Sequence, residues 1–332
     1  MEMLLSFLII TYKRPYKLYR LLETFLDKRW LTLDISHIEI VVADDHSDDN
    51  TEEVISPLLC DLERMGWKTK YVYREKNLGA DRNLFTGYFV DTSGKYVWMF
   101  CDDDLLEIDN SVGFVEYVNQ VNPTVALCGF RQGFGRYKMQ NNLGTGMRVV
   151  SSFKEAFPYL IQFPKTSSYV VKRVDGNFES VVEKWEGTLY SWIGFCVYIF
   201  ANLGSTASLA LYPKVTAFAD GDYYVLRYSY RIFTKLDYVI KSSLELAGIP
   251  DGELPNSFGT ISQNDQIIYC IKGIRSHFSW HTPIRYENSV LTAEEEYLRK
   301  HMVECLANRI AFLEFSKLCL TYMFRGLFKK PT

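Results

Sequence analysis

With 332 residues, 48% of them apolar and 23% charged, the chain can bury a large core, and its net charge of −3 excludes the electrostatic footprint of a general nucleic-acid binder. Seven scattered cysteines without a Cys-x-x-Cys pair fit free thiols in a reducing cytosol and exclude a disulfide framework. The first element is Leu4-Leu5-Ser6-Phe7-Leu8-Ile9-Ile10, an apolar run of buried-parallel-strand type and too short for a signal peptide. Thr11-Tyr12-Lys13-Arg14-Pro15 ends it, and Pro15 suits the first turn of a helix whose Leu18, Leu21, Leu22 and Phe25 share one face. A second strand, Ile38 to Ala43, runs into Asp44-Asp45-His46-Ser47-Asp48-Asp49-Asn50-Thr51, where several side chains suit helix N-caps. A third strand spans Lys70 to Tyr73, a helix opens through Arg74-Glu75-Lys76-Asn77-Leu78-Gly79-Ala80-Asp81-Arg82-Asn83, and a fourth strand spans Tyr96 to Phe100. Strand and helix alternate, which predicts an α/β fold with a doubly wound, mostly parallel sheet.

The fourth strand ends in Cys101-Asp102-Asp103-Asp104. Burying unpaired charge costs several kcal/mol per ion, and adjacent carboxylates resist joint ionisation. A hard divalent ion that also holds substrate phosphates would account for them, at the strand ends where open α/β sheets bind ligands. The plainer alternative is a solvated acidic loop capping the next helix.

In this order and spacing, Thr11 to Pro15, Asp44 to Asp48, Asn77-Leu78-Gly79-x-x-Arg82-Asn83 and Asp102 to Asp104 resemble the nucleotide-sugar half of the family 2 glycosyltransferases, which have the GT-A (Rossmann-like) fold. Gly187-Thr188-Leu189-Tyr190 and Pro213-Lys214-Val215 with Asp220-Gly221-Asp222 are similar to the abequosyltransferase-like branch that builds bacterial surface polysaccharide such as O-antigen. The resemblance implies a nucleotide-sugar donor, a glycan or lipid-linked acceptor, and Mn2+ or Mg2+. It implies that Asp45, with Asp44, accepts a hydrogen bond from the nucleobase in a pocket lined by Thr11 and Tyr12, with Arg14 and Asn77 also on the donor side. Asp102 would reach the ribose, and Asp103 and Asp104 would hold the metal. Cys101 stands where the family triplet often begins with Asp, which leaves the ligand open among Asp102, Asp103 and Asp104. Arg82 would contact base or phosphate, or else pair with Asp81 or Glu75. An inverting transfer needs a carboxylate base, for which Glu186 is the candidate and Asp220 and Asp222 its rivals.

The remaining expectations concern organisation. Residues 1–120 form the donor half, 121–250 the acceptor half and 251–332 a C-terminal helical appendage. Thr188 to Pro213 carries no charge and meets the length of a membrane span, but its turn-like second half and Leu209-Ala210-Leu211-Tyr212 favour a buried helix followed by a strand. Arg131 to Arg148, basic and rich in Gly and Asn, is either a loop closing over phosphates or a solvated hairpin. His277 and His281 read as loop histidines. From about 305 onward, Leu306, Ile310, Leu313, Leu320, Phe324 and Leu327 recur at helical spacing among five basic residues, the pattern of a helix lying peripherally on the inner face of the cytoplasmic membrane; a helix packed on the core or a homo-oligomer interface is the alternative. A dehydrogenase or nucleotidylyltransferase would need a Gly-rich loop after the first strand, which Thr11 to Pro15 is not. A non-catalytic sugar-binding module stays open.

Overall fold

The computed structural model describes residues 3–132, 139–161, 165–174, 183–219 and 231–249. The chain divides into two compact units, Met1–Tyr223 with Val239–Leu254, and Tyr224–Tyr238 with Pro255–Thr332. Nearly all described residues belong to the first unit. Asp220, Asp222, His277, His281 and everything from 250 onward lie outside the described residues, the C-terminal amphipathic pattern included.

The described strands are β1 (Leu5–Thr11), β2 (Ile38–Asp44), β3 (Lys68–Tyr73), β4 (Tyr96–Cys101), β5 (Asp104–Leu106), β6 (Val125–Gln132), β7 (Met139–Gln140), β8 (Arg148–Val150), β9 (Tyr169–Lys172) and β10 (Leu209–Ala219). They form one sheet in the order β3-β2-β1-β4-β9-β6-β10-β5, with β7 on β6 and β8 on β10. The four N-terminal strands are all parallel. Strand β9 is antiparallel to both its neighbours, β4 and β6, and β10 returns to run parallel with β6. One sheet therefore crosses the expected boundary at residue 120.

The described helices are α1 (Pro15–Glu23), α2 (Thr51–Met65), α3 (Ala80–Thr86), α4 (Ile108–Val121), α5 (Phe153–Ile161), α6 (Ser191–Leu203) and α7 (Arg231–Leu246). Pro15 opens α1, where its missing N–H costs nothing. Alternate residues of a strand face opposite sides, and β1 buries both. Phe7 and Ile9 join Trp98 and Phe100 of β4 in a core with Leu18, Leu22, Phe25, Leu58 and Leu62 from α1, α2 and the turn after α1. Phe7 sits at its centre, stacked on Trp98 at 5.1 Å and edge-on to Phe25 at 4.8 Å. The indoles of Trp30, Trp67 and Trp98 each donate to a backbone carbonyl, so their polar atoms are satisfied inside the core. On the opposite face, Phe85 and Tyr88 pack edge-on against Phe195 of α6.

The uncharged stretch from Thr188 resolves as a buried helix and a strand. Helix α6 is 13 residues long, it buries Ile193, Phe195, Val197 and Phe200, and the chain then turns into β10. Among the described residues no helix is long and apolar enough to cross a membrane.

Truncating Phe7 removes ring contacts to four other aromatic side chains. Phe7→Ala is expected to destabilise the fold by about 3–5 kcal/mol, read as a lowered midpoint in urea unfolding followed by tryptophan fluorescence. A loss under about 1 kcal/mol would mean that this core relaxes to fill the gap.

Candidate active site

Three segments meet at the carboxyl ends of β1, β2 and β4. At the tip of β1, Thr11 is buried and its hydroxyl donates to Asp102 Oδ2 at 2.7 Å. Arg14, one turn on, reaches the same triplet: its Nη1 lies 3.0 Å from Asp102 Oδ1 and 3.2 Å from Asp103 Oδ2. The resemblance placed Arg14 on the donor side without naming a partner, and this pairing over 88 residues has no local signature in the sequence. Tyr12 is exposed, with the Lys13 ammonium over its ring.

The Asp triplet does not cap the following helix. Asp102 and Asp103 occupy the turn after β4, Asp104 is the first residue of β5, and α4 starts only at Ile108. Strand β5 is an element that the sequence reading did not separate from the acidic loop. Asp104 is buried and accepts a hydrogen bond from Ser167 Oγ at 2.6 Å; the same hydroxyl also accepts from the Cys101 N–H. Cys101, Asp103 and Asp104 each bring one potential ligand atom within 4.8 Å of the others. Burial raises the carboxyl of Asp102 from the usual 3.8 to about 6, against the pull of the Arg14 charge and the Thr11 hydroxyl. Burial likewise raises Asp104, with nearby Lys165 pulling it down, and lifts the Cys101 thiol well above its ordinary range.

The second acidic stretch separates into distinct tasks. Asp44 is 0% exposed, its oxygens taken by the Ser47 N–H and the Tyr71 hydroxyl, so its carboxylate does not open on the cleft. Asp45 turns the other way and accepts from the N–H groups of Leu78 at 2.6 Å and Gly79 at 2.9 Å. Asn77 closes this loop, donating to the Asp45 carbonyl and accepting from the Gly79 N–H. Asp48 pairs with Lys13, and Asp49 accepts the Thr51 N–H at the start of α2. Gly79 has φ +83°, a conformation that a side chain would strain. The carboxylate of Asp45 thus fixes the loop that starts α3, and Asn83 pins that helix further by donating to the Ala43 carbonyl.

Helix α3 meets the candidate base. Arg82 pairs with neither Asp81 nor Glu75; its guanidinium contacts Glu186 Oε2 at 2.9 Å and Glu183 Oε1 at 3.3 Å. Glu186 stands in a turn in which Gly187 and Leu189 both have positive φ, +77° and +68°. Glycine takes this region freely, whereas a leucine there costs about 1–2 kcal/mol. Of the Arg131–Arg148 stretch, both end residues are engaged: the Arg131 guanidinium lies over the Phe218 ring at 5.4 Å and that of Arg148 over the Tyr159 ring at 5.0 Å.

Residues 6–164 match the family model of Glycosyl transferase family 2. Abequosyltransferase RfbV of Salmonella typhimurium is 27% identical over 236 residues, 66% of this chain and 68% of that protein. Two solved structures share the fold. S. aureus TarS 1–349 has a TM-score of 0.54 at 14% identity, covering 89% of this chain and 77% of its own. The mannosyltransferase PcManGT from Pyrobaculum calidifontis, solved with GDP-Man and Mn2+, has a TM-score of 0.52 at 12% identity, covering 100% of this chain and 89% of its own. The architecture expected from the sequence, a GT-A sheet, is the one these neighbours share.

The raised carboxyl of Asp102 carries a sign. Between pH 3.8 and about 6 the unfolded chain releases this proton before the folded one, so the group's contribution to stability falls as pH rises through that window and is level above it. In EDTA, the melting temperature of wild type relative to Asp102→Asn should therefore fall between about pH 4 and pH 6 and then flatten. A difference independent of pH would show that Asp102 ionises freely in the fold.

Proposed function

We propose, taking as premise that this chain is a family 2 glycosyltransferase resembling the abequosyltransferase branch, that it moves a sugar with inversion from a nucleotide-sugar donor to a glycan acceptor in bacterial surface-polysaccharide synthesis. The observation that carries this reading is the convergence of the Thr11–Arg14 turn, the Asp45-held loop and the Asp102–Asp104 turn at the ends of three parallel strands. That is where open α/β sheets bind nucleotides.

Thr11, Tyr12, Arg14 and Asn77 line the donor side in this reading. Asp44 and Asp45 act mainly by shaping the pocket, since their oxygens already hold Ser47, Tyr71, Leu78 and Gly79. Asp102 keeps Thr11 and Arg14 in place beside the ribose position. The donor set fits a divalent cation: Asp103 and Asp104 offer hard oxygens, with the Cys101 sulfur alongside. Bound there, Mn2+ or Mg2+ would neutralise the charge that develops on the leaving diphosphate. Glu186, ion-paired with Arg82, takes the proton of the attacking hydroxyl, which makes the oxygen a better nucleophile as it displaces the nucleotide from the opposite face. The acceptor is lipid-linked and the C-terminal residues dock on the membrane surface; the aromatic and basic pattern from about 305 supports this.

Thermal melts with nucleoside diphosphates and nucleotide sugars should show stabilisation that depends on Mn2+ and disappears in Asp103→Asn, since a ligand of the folded state stabilises it by mass action. Hydrolysis of the best-binding nucleotide sugar separates an enzyme from a binding module. Glu186→Gln should lower turnover by roughly 10²-fold at unchanged donor affinity. Near-normal turnover, with Asp222→Asn inactive, would transfer the role to Asp222.

A further inference from the structure

Asp81 has no part in the donor site or the metal cluster, yet the residue is only 4% exposed at the start of α3, where a free acid would stay in water. Its partners explain the burial. Oδ2 accepts the N–H of Leu189 at 2.8 Å and Oδ1 accepts the hydroxyl of Ser191 at 2.5 Å, from a segment more than a hundred residues further along the chain. Burial pushes this carboxyl up, while the hydrogen bonds from Ser191 and Leu189 hold it down. Leu189 is the residue held at φ +68°, and its side chain is 43% exposed, so apolar burial does not account for its backbone. The turn has internal bonds: Thr188 donates through its N–H and its hydroxyl to the Trp185 carbonyl, and the Tyr190 N–H donates to the Thr188 hydroxyl. Trp185 is itself anchored to Ser242 of α7. The bond from the Leu189 N–H to Asp81 ties this positive-φ residue to α3.

The next residue, Arg82, reaches Glu186 and Glu183 of the same segment. Two adjacent residues of one short helix thus grip the segment twice, one through a buried carboxylate and the other through an exposed guanidinium. The start of that helix is set by Asp45, which takes the N–H groups of Leu78 and Gly79 at the tip of β2. A hydrogen-bonded path therefore runs from the donor side of the sheet through α3 to the turn that carries Glu186.

We infer that Asp81 is a positioning residue, which holds the Gly187–Leu189 turn in its left-handed conformation and so fixes Glu186 relative to the donor site. Arg82 alone does not do this. An exposed ion pair orients a side chain weakly, whereas a buried carboxylate accepting from a backbone N–H constrains the main chain. The inference rests on Glu186 being the base, so its test separates the two.

Asp81→Asn keeps the volume but cannot accept on both atoms. In the full-length variant, hydrogen exchange of the Leu189 and Ser191 amides should accelerate while that of β1 and β4 stays as in wild type. With the nucleotide sugar selected by the melting screen as probe, kcat for hydrolysis should fall by roughly 10-fold to 10²-fold, the scale for a base displaced by about 1 Å. KM should stay within about twofold, because the donor contacts are untouched. Unchanged exchange at residues 187–191 overturns the inference, as does faster exchange with normal kcat. A raised KM at normal kcat also overturns it and places Asp81 in the donor pocket. If Asp81→Asn fails to fold, Ser191→Ala removes the hydroxyl bond alone and should give a smaller change of the same kind; wild-type exchange and turnover in that variant again overturn the inference. Glu186→Gln distinguishes the premise. Normal turnover there, with Asp81→Asn slow and locally loosened, keeps the positioning role and assigns the base elsewhere in the turn's reach.

Discussion

The fold is organised around carboxylates withdrawn from water at the ends of parallel strands. Asp44, Asp45, Asp102 and Asp104 are all nearly buried, at the tip of β2, in the turn after β4 and at the start of β5, where charge is expensive unless donors are supplied. Each has a specific set: Ser47 and Tyr71 for Asp44, two backbone N–H groups for Asp45, Thr11 and Arg14 for Asp102, Ser167 for Asp104. Most of these donors come from other strands or the loops beside them: Thr11 and Arg14 at the end of β1, Tyr71 in β3, Leu78 and Gly79 in the loop after β3, and Ser167 just before β9. Satisfying the acids therefore fixes the loops, and the loops build the cleft.

The aromatic core is what makes this arrangement stiff. Phe7, Trp98 and Phe100 lie on the strands whose ends carry Thr11 and the Asp triplet, so packing beneath the site sets the height of its rim. A residue such as Phe7 is felt at the cleft because close-packed interiors transmit displacement. The opposite face, through Phe85, Tyr88 and Phe195, does the same for α3 and α6, the two helices that flank the Glu186 turn. Donor side and candidate base are held by separate packing layers joined through α3.

Carboxylates of one type thus reach different states according to their surroundings. Asp102 has its proton affinity raised by desolvation although a cation lies beside it. Asp48, facing solvent, is drawn below the ordinary carboxylate range by its hydrogen bond to Lys13. Burial at the strand tips and exposure at the surface thus set carboxylates of one kind apart.

The α/β pattern, the parallel start of the sheet and the helix–strand reading of residues 188–213 were legible in the sequence. Apolar runs, a proline at a helix start and turn residues act over a few positions, where local physics decides. The acidic motifs were legible as a set because charge at strand ends has few structural uses. Which acid does what was not legible. Asp44 and Asp45 are neighbours in the chain, yet one is sealed inside and the other grips a loop, a difference set by Tyr71 and Leu78 some thirty residues away. Neither Arg14 on the triplet, nor Arg82 on Glu186, nor Asp81 on the Leu189 turn leaves a local trace, since each pair spans 88 residues or more. Sequence alone determined that acids would gather at the strand tips; only tertiary structure decided which donors meet them, because a hydrogen bond between distant segments exists only once the sheet has brought both ends together.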